Sequence, residues 1–115
     1  MKLYTDFEQS KRLAKILPPE SADMHYIVVE DEQQPSYIAG LGNFFGKYIG
    51  KPSSLCWSLA ALLSLLPRPT LHQTNDGKWY CDITDNRTYF SKHYDNPVDA
   101  CVEMVSKLKE LNLSK

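Results

Sequence analysis

The chain has no uninterrupted apolar run of the length a bilayer demands. Its most hydrophobic stretch, SSLCWSLAALLSLLPRP from Ser53 to Pro69, offers about a dozen residues between flanking serines and prolines, where a spanning helix needs about 20. No membrane association is expected. An excess of charge of one sign is missing too. Thirteen Lys and Arg balance fourteen Asp and Glu, for a formal net charge of −1. Both signs are spread through both halves of the chain, which argues against a general basic field for nucleic acid and leaves only local patches.

Cysteine is sparse and unpaired in pattern. Cys56, Cys81 and Cys101 are three, far apart, and form neither a zinc knuckle nor a Cys-x-x-Cys redox motif. The N-terminal MKLYTDFEQSKRLAKILPPE lacks the apolar core and small-residue cleavage site of a signal peptide. The expected setting is a reducing cytoplasm, with the cysteines as buried thiols. The triplets Asn86-Arg87-Thr88 and Asn112-Leu113-Ser114 are then chance matches to glycosylation acceptors. Glycine is also scarce: of five, four crowd into one segment, at Gly40, Gly42, Gly46 and Gly50.

What is present reads as one soluble globular domain over residues 1–115, long enough to bury a core without staples. Thr5 followed by Glu8 predicts a capping box, and Phe7, Leu13, Ala14, Ile16 and Leu17 recur at helical spacing until Pro18-Pro19 stops the helix. MHYIVVEDE is β-branched and aromatic, a strand. Gln33 to Pro52, where the glycines interleave with Phe44, Phe45, Tyr48 and Ile49, predicts a structured loop. Ser53 to Leu66 predicts one capped helix, with Leu55, Leu59, Leu62, Leu63 and Leu66 on one stripe and Ser54, Ser58, Ala61 and Leu65 on a smaller one.

A three-strand meander follows. Asn75-Asp76-Gly77 marks a hairpin turn, after which Trp79, Cys81 and Ile83 alternate as a dry face with Tyr80, Asp82 and Thr84 as a wet one. TDNR (84–87) is a second turn, and Tyr89, Phe90 and Tyr94 carry the third strand. Asn96 caps a closing helix with Pro97 in its first turn, burying Val98, Cys101, Val102, Val105 and Leu108. The fold class is therefore α+β: a small antiparallel sheet, the meander plus one N-terminal strand, with helices packed on one face, in the order α-β-loop-α-β-β-β-α.

Chemistry-bearing motifs are few. A Walker loop needs glycine, four residues, then Gly-Lys and Ser or Thr. Counting back from Gly46-Lys47 and Gly50-Lys51 lands on Leu41 and Phe45, so the spacing refuses it. GLGNFFG (40–46) has two glycines of a dinucleotide fingerprint and no parallel strand–helix unit around it. Cys81 or Cys101 beside His72 or His93 would make a nucleophilic dyad, but both cysteines sit on apolar stripes where a thiol is inert. His25, His72 and His93 lack metal-ligand spacing. Asp82, Asp85 and Asp95 read as turn and strand-edge residues. No cofactor and no metal are expected. The binding candidates are Phe44, Phe45, Lys47, Tyr48 and Lys51, which would stack on and grip a single-stranded nucleic acid, or else anchor the loop to the core.

Three resemblances bear on these readings. WSLAALLSLLP, GKWYCDI and NPVDACVEMVSKLKEL, covering roughly residues 55–111, resemble a group of short uncharacterised proteins of phage and mobile elements in gut Bacteroidetes, which implies origin rather than activity. From Trp57 onward the order helix, three strands, helix is similar to a double-stranded-RNA-binding domain. That family's phosphate-gripping lysines fall where this chain has Asn96-Pro97-Val98-Asp99-Ala100, so its activity does not carry over. DGKWYCDI with NPVDACVEMVSKL resembles the HicB-like antitoxin fold, which implies dimerisation and toxin blocking. The expected function is a non-enzymatic binding or adaptor protein working by protein contact or self-association. The alternatives are a nucleic-acid-binding module using the Lys47/Lys51 segment and a small cysteine-dependent hydrolase.

Overall fold

A computed structural model describes the backbone of residues 1–29, 32–37 and 51–111, and the side chains of residues 1–26 and 54–111. The expected α+β class holds: helices accompany small antiparallel sheets. The strands divide between two three-stranded sheets, and the chain forms two compact units, Tyr4–Ser58 and a second made of Met1–Leu3 with Leu59–Lys115.

In the first unit, α1 spans Phe7–Ala14 and is capped one residue later than the sequence predicts. Asp6 accepts from Gln9 N at 2.8 Å while Gln9 Oε1 accepts from Asp6 N at 3.1 Å, a capping box built on Asp6 and Gln9 rather than Thr5 and Glu8. Thr5 has another task. Its hydroxyl, fully buried, lies 2.7 Å from Ser10 Oγ and accepts from Trp57 N at 3.1 Å, while its carbonyl accepts from Tyr26 Oη at 2.7 Å. After a 3-10 turn at Pro19–Ser21 come β1 (Met24–Val29), β2 (Glu32–Tyr37) and β3 (Lys51–Cys56), with β1 between its two antiparallel neighbours. α1 packs on β3, and Met24, Tyr26 and Cys56 form a core cluster against which Phe7 rests, its ring edge-on to Tyr26 at 5.4 Å.

Two expectations are corrected here. The loop expected over Gln33 to Pro52 is strand at both described ends, since β2 and β3 flank it. The helix expected from Ser53 to Leu66 is divided: Lys51–Cys56 is extended and helix α2 is only Leu59–Ser64. The physical reason is pairing. β3 satisfies its backbone against β1, from Met24↔Cys56 to Val28↔Lys51, and this outweighs a helical start that leaves Ser53 and Ser54 as mere caps. The changeover lies at Trp57-Ser58, pinned by Trp57 Nε1 donating to Ser21 Oγ at 3.0 Å and by Asp23, which accepts from Ser58 N at 2.9 Å and from its hydroxyl.

In the second unit, α2 is followed by β4 (Thr70–Gln73), β5 (Trp79–Asp85), β6 (Arg87–Phe90) and helix α3 (Pro97–Glu110), with sheet order β4-β5-β6. The β4–β5 turn is a three-residue loop. Gly77 N donates to Thr74 O at 3.0 Å, Thr74 N to Lys78 O at 2.8 Å, and Gly77 takes φ +83, the left-handed conformation that closes such a loop. Asn86, at φ +65, reverses the chain between β5 and β6. Asn96 caps α3 by accepting from Asp99 N at 2.9 Å, with Pro97 in the first turn, as the sequence predicts. Val98, Cys101, Val102, Met104, Val105 and Leu108 are buried, and α3 packs on β5 and on α2. Each such aliphatic side chain removed from water contributes about 1.5–3 kcal/mol to the stability of the unit.

Candidate interaction surface

β5 sorts its side chains as an alternating strand must. Cys81 and Ile83 are fully buried on the side where α3 packs. Tyr80, Asp82 and Thr84 take the opposite face, and the register sets His72 of β4 against Tyr80 and Phe90 of β6 against Asp82. On that face three rings stack across the strands. The His72 and Tyr80 centroids are 4.5 Å apart with planes 14° from parallel; on the other side of Tyr80, His93 lies at 4.9 Å and 19°. Phe90 tilts against Tyr80 at 6.4 Å and leaves 56% of its surface exposed, more than any Tyr or Trp of the unit. His72 Nε2 lies 2.6 Å from Asp82 Oδ2. The Asp82 carboxylate is thus hydrogen-bonded within the face, whose edges carry the hydroxyls of Thr84 and Thr88, 3.4 Å apart.

Two of the cations around the rings are occupied. Lys78 pairs with Asp95. Lys107 reaches Phe90 O at 3.2 Å and Glu103 at 3.6 Å. Glu103 Oε1 also accepts from Tyr94 Oη at 2.7 Å and from Lys92 N at 3.0 Å. Burial by itself pushes the Glu103 carboxyl up; these hydrogen bonds and the neighbouring lysines outweigh it and hold the group below the ordinary carboxylate range. Tyr94 responds in the opposite sense, its phenol pushed up to about 12 by burial and by the carboxylate it donates to.

Of the binding residues expected from sequence, Phe44, Phe45, Lys47 and Tyr48 lie outside the described residues; Lys51 opens β3 opposite Val28. The candidate cysteine–histidine dyads are not assembled. Cys81 and Cys101 are fully buried where β5 meets α3, whereas His72 stands on the other face of the sheet and His93 stacks on Tyr80. The Cys101 thiol, hydrogen-bonded to Cys81 and buried, is pushed well above its ordinary value, and burial raises Cys56 as well. All three are free thiols. Among the described residues no group of three His, Cys, Asp or Glu side chains could hold a metal ion, and no helix is long and apolar enough to cross a membrane.

The ring column escaped the sequence reading, although its signal was there. A three-residue turn centred on Asp76 pairs residue 72 with residue 80, and the alternation that buries Cys81 puts both rings on the other face. No protein family, curated protein or solved structure matches the chain.

Proposed function

We propose that the protein is a non-enzymatic binding or adaptor protein of a bacterial mobile element, acting in the cytoplasm by protein–protein contact through the ring-bearing face of the β4–β5–β6 sheet. The observation that carries this reading is the column His72–Tyr80–His93 with Phe90 exposed beside it. Rigid aromatic side chains supply contact area at low entropic cost and dominate binding hot spots, where truncating one costs about 2 kcal/mol or more. Charge gives a polyanion little hold, because two of the neighbouring cations, Lys78 and Lys107, are paired with acids of their own unit and Asp82 stands among the rings. The buried free thiols suit a reducing compartment.

The test is a photo-crosslinking amino acid in place of Phe90, expressed in cells that carry the gene. A discrete adduct that resists nuclease and is competed by excess unmodified protein, but not by Phe90→Asp, is the expected result. An adduct removed by nuclease, or none that is competed, overturns the reading.

A further inference from the structure

The two edges of the β4–β5–β6 sheet are treated differently. Thr74 N donates to Lys78 O and Ser91 N to Cys81 O, which fixes the hydrogen-bond alternation of both ladders. In β6 the groups that point away from β5 belong to Thr88 and Phe90; Lys107 Nζ of α3 donates to Phe90 O, Glu103 accepts from Lys92 N just beyond, and Arg87 puts a charge on the strand itself. Charged side chains laid over an edge are a standard guard against strand addition. In β4 the outward groups belong to Leu71 and Gln73. Among the described residues no backbone hydrogen bond reaches them, and β4 itself (Thr70, Leu71, His72, Gln73) carries no Lys, Arg, Asp or Glu. The ring column runs toward this same edge. From His93 through Tyr80 it ends at His72, which keeps 36% of its side-chain surface exposed.

We infer that a second copy of the chain joins this face at its β4 edge, the edge away from Phe90, by antiparallel pairing of β4 with β4 about a two-fold axis at His72. The inference rests on the protein-contact reading above and sets the ring faces of two copies side by side. In that register Leu71 faces Gln73 of the second copy twice, so the four outward N–H groups and four C=O groups of the two edges include four matched donor–acceptor pairs. His72 meets His72 across the axis on the ring face, and the column continues through six rings in two copies. The ends are complementary in charge. Arg68, exposed just before β4, comes beside the Asn75–Gly77 turn of the second copy, where Asp76 is exposed, and this contact also occurs twice.

Sedimentation velocity tests it, run on the full chain from about 1 to about 200 µM, a range that captures micromolar association. A rise from 13.2 kDa to twice that mass is expected. Gln73→Pro, which removes an outward donor, should abolish the rise. Asp76→Arg sets like charges together at both ends and should weaken the dimer about tenfold. Adding Arg68→Asp to Asp76→Arg should restore it, which a merely misfolded variant cannot do. A monomer throughout the range overturns the inference, as does a dimer indifferent to all three variants. A monomer that still gives the competed crosslink to another protein from position 90 overturns self-pairing while leaving the wider reading in place.

Discussion

Glu103 gathers a phenol, a backbone amide and two lysines around one half-buried carboxylate, and its protonation therefore reports on folding. The folded group titrates below the unfolded one, whose ordinary value is about 4.3. Its contribution to stability is whole above that value and is lost as pH falls through the lower, folded one. Urea midpoints measured from neutral pH downward should fall through this window. In Glu103→Gln, which keeps an acceptor for Tyr94 and Lys92 N, the limb should flatten; an acid limb identical to that of the parent protein would show that Glu103 is not its source. Thr5 teaches a different lesson at the same scale. The sequence motif Thr-x-x-Glu is a true cap signal elsewhere, and Asp6 with Gln9 offers an equivalent pair one residue on. Local preference cannot separate two such frames. Long-range demand decides: Trp57 N needs a buried acceptor, and only the Thr5 hydroxyl, held by Ser10, supplies it.

Elements whose signals are local were legible; those decided by distant partners were not. α3 follows its cap, proline and apolar stripe residue by residue, and the β4–β5 hairpin follows Asn75-Asp76-Gly77. The Ser53–Leu66 segment carried an equally good helical stripe, yet its first half is β3, because β1 offers it a ladder that the sequence does not advertise. Leu55 therefore stands on a strand, while Leu62 and Leu66 stay in the core. The hairpin also supports a quantitative expectation. Gly77 sits at φ +83 with open space where a Cβ would go, so Gly77→Ala meets strain without a clash. Unfolding free energy should drop by about 1 kcal/mol, and Gly77→Asn should recover part of the loss, since asparagine tolerates the left-handed region. Because the β4–β5 ladder itself holds His72 opposite Tyr80, the same Gly77→Ala variant examined by NMR should keep its ring-current shifts. Their loss would mean that the turn, rather than the cross-strand pairing, holds the rings together.

At the scale of the whole chain, the α+β class was legible because helical and strand periods alternate along it. The division of strands between two sheets was not, since nothing local tells β1 that its neighbours are β2 and β3 rather than the meander. The candidate site was half legible: alternation predicted its face, but the stacking of His72 and His93 on Tyr80 depends on β4, β5 and the segment after β6 coming together. Thiol chemistry reads both units separately. Cys56 is fully buried in the first, Cys81 and Cys101 in the second, and burial holds the Cys56 thiol protonated besides. Only thiolate that reaches solvent reacts, so labelling with a thiol reagent must wait for opening. In the native protein all three should react at least about a thousandfold more slowly than in denaturant, as opening free energies of about 4 kcal/mol or more require. Thr5→Val, which strips the acceptor from Trp57 N at a cost of about 1–3 kcal/mol, should speed labelling of Cys56. Ile83→Val, which empties part of the β5–α3 core at about 0.5–1.5 kcal/mol, should speed Cys81 and Cys101. Mass spectrometry of peptides after timed labelling resolves the three sites. A cysteine that reacts in the native protein as fast as in denaturant would contradict the burial described here and would reopen nucleophilic chemistry at that position.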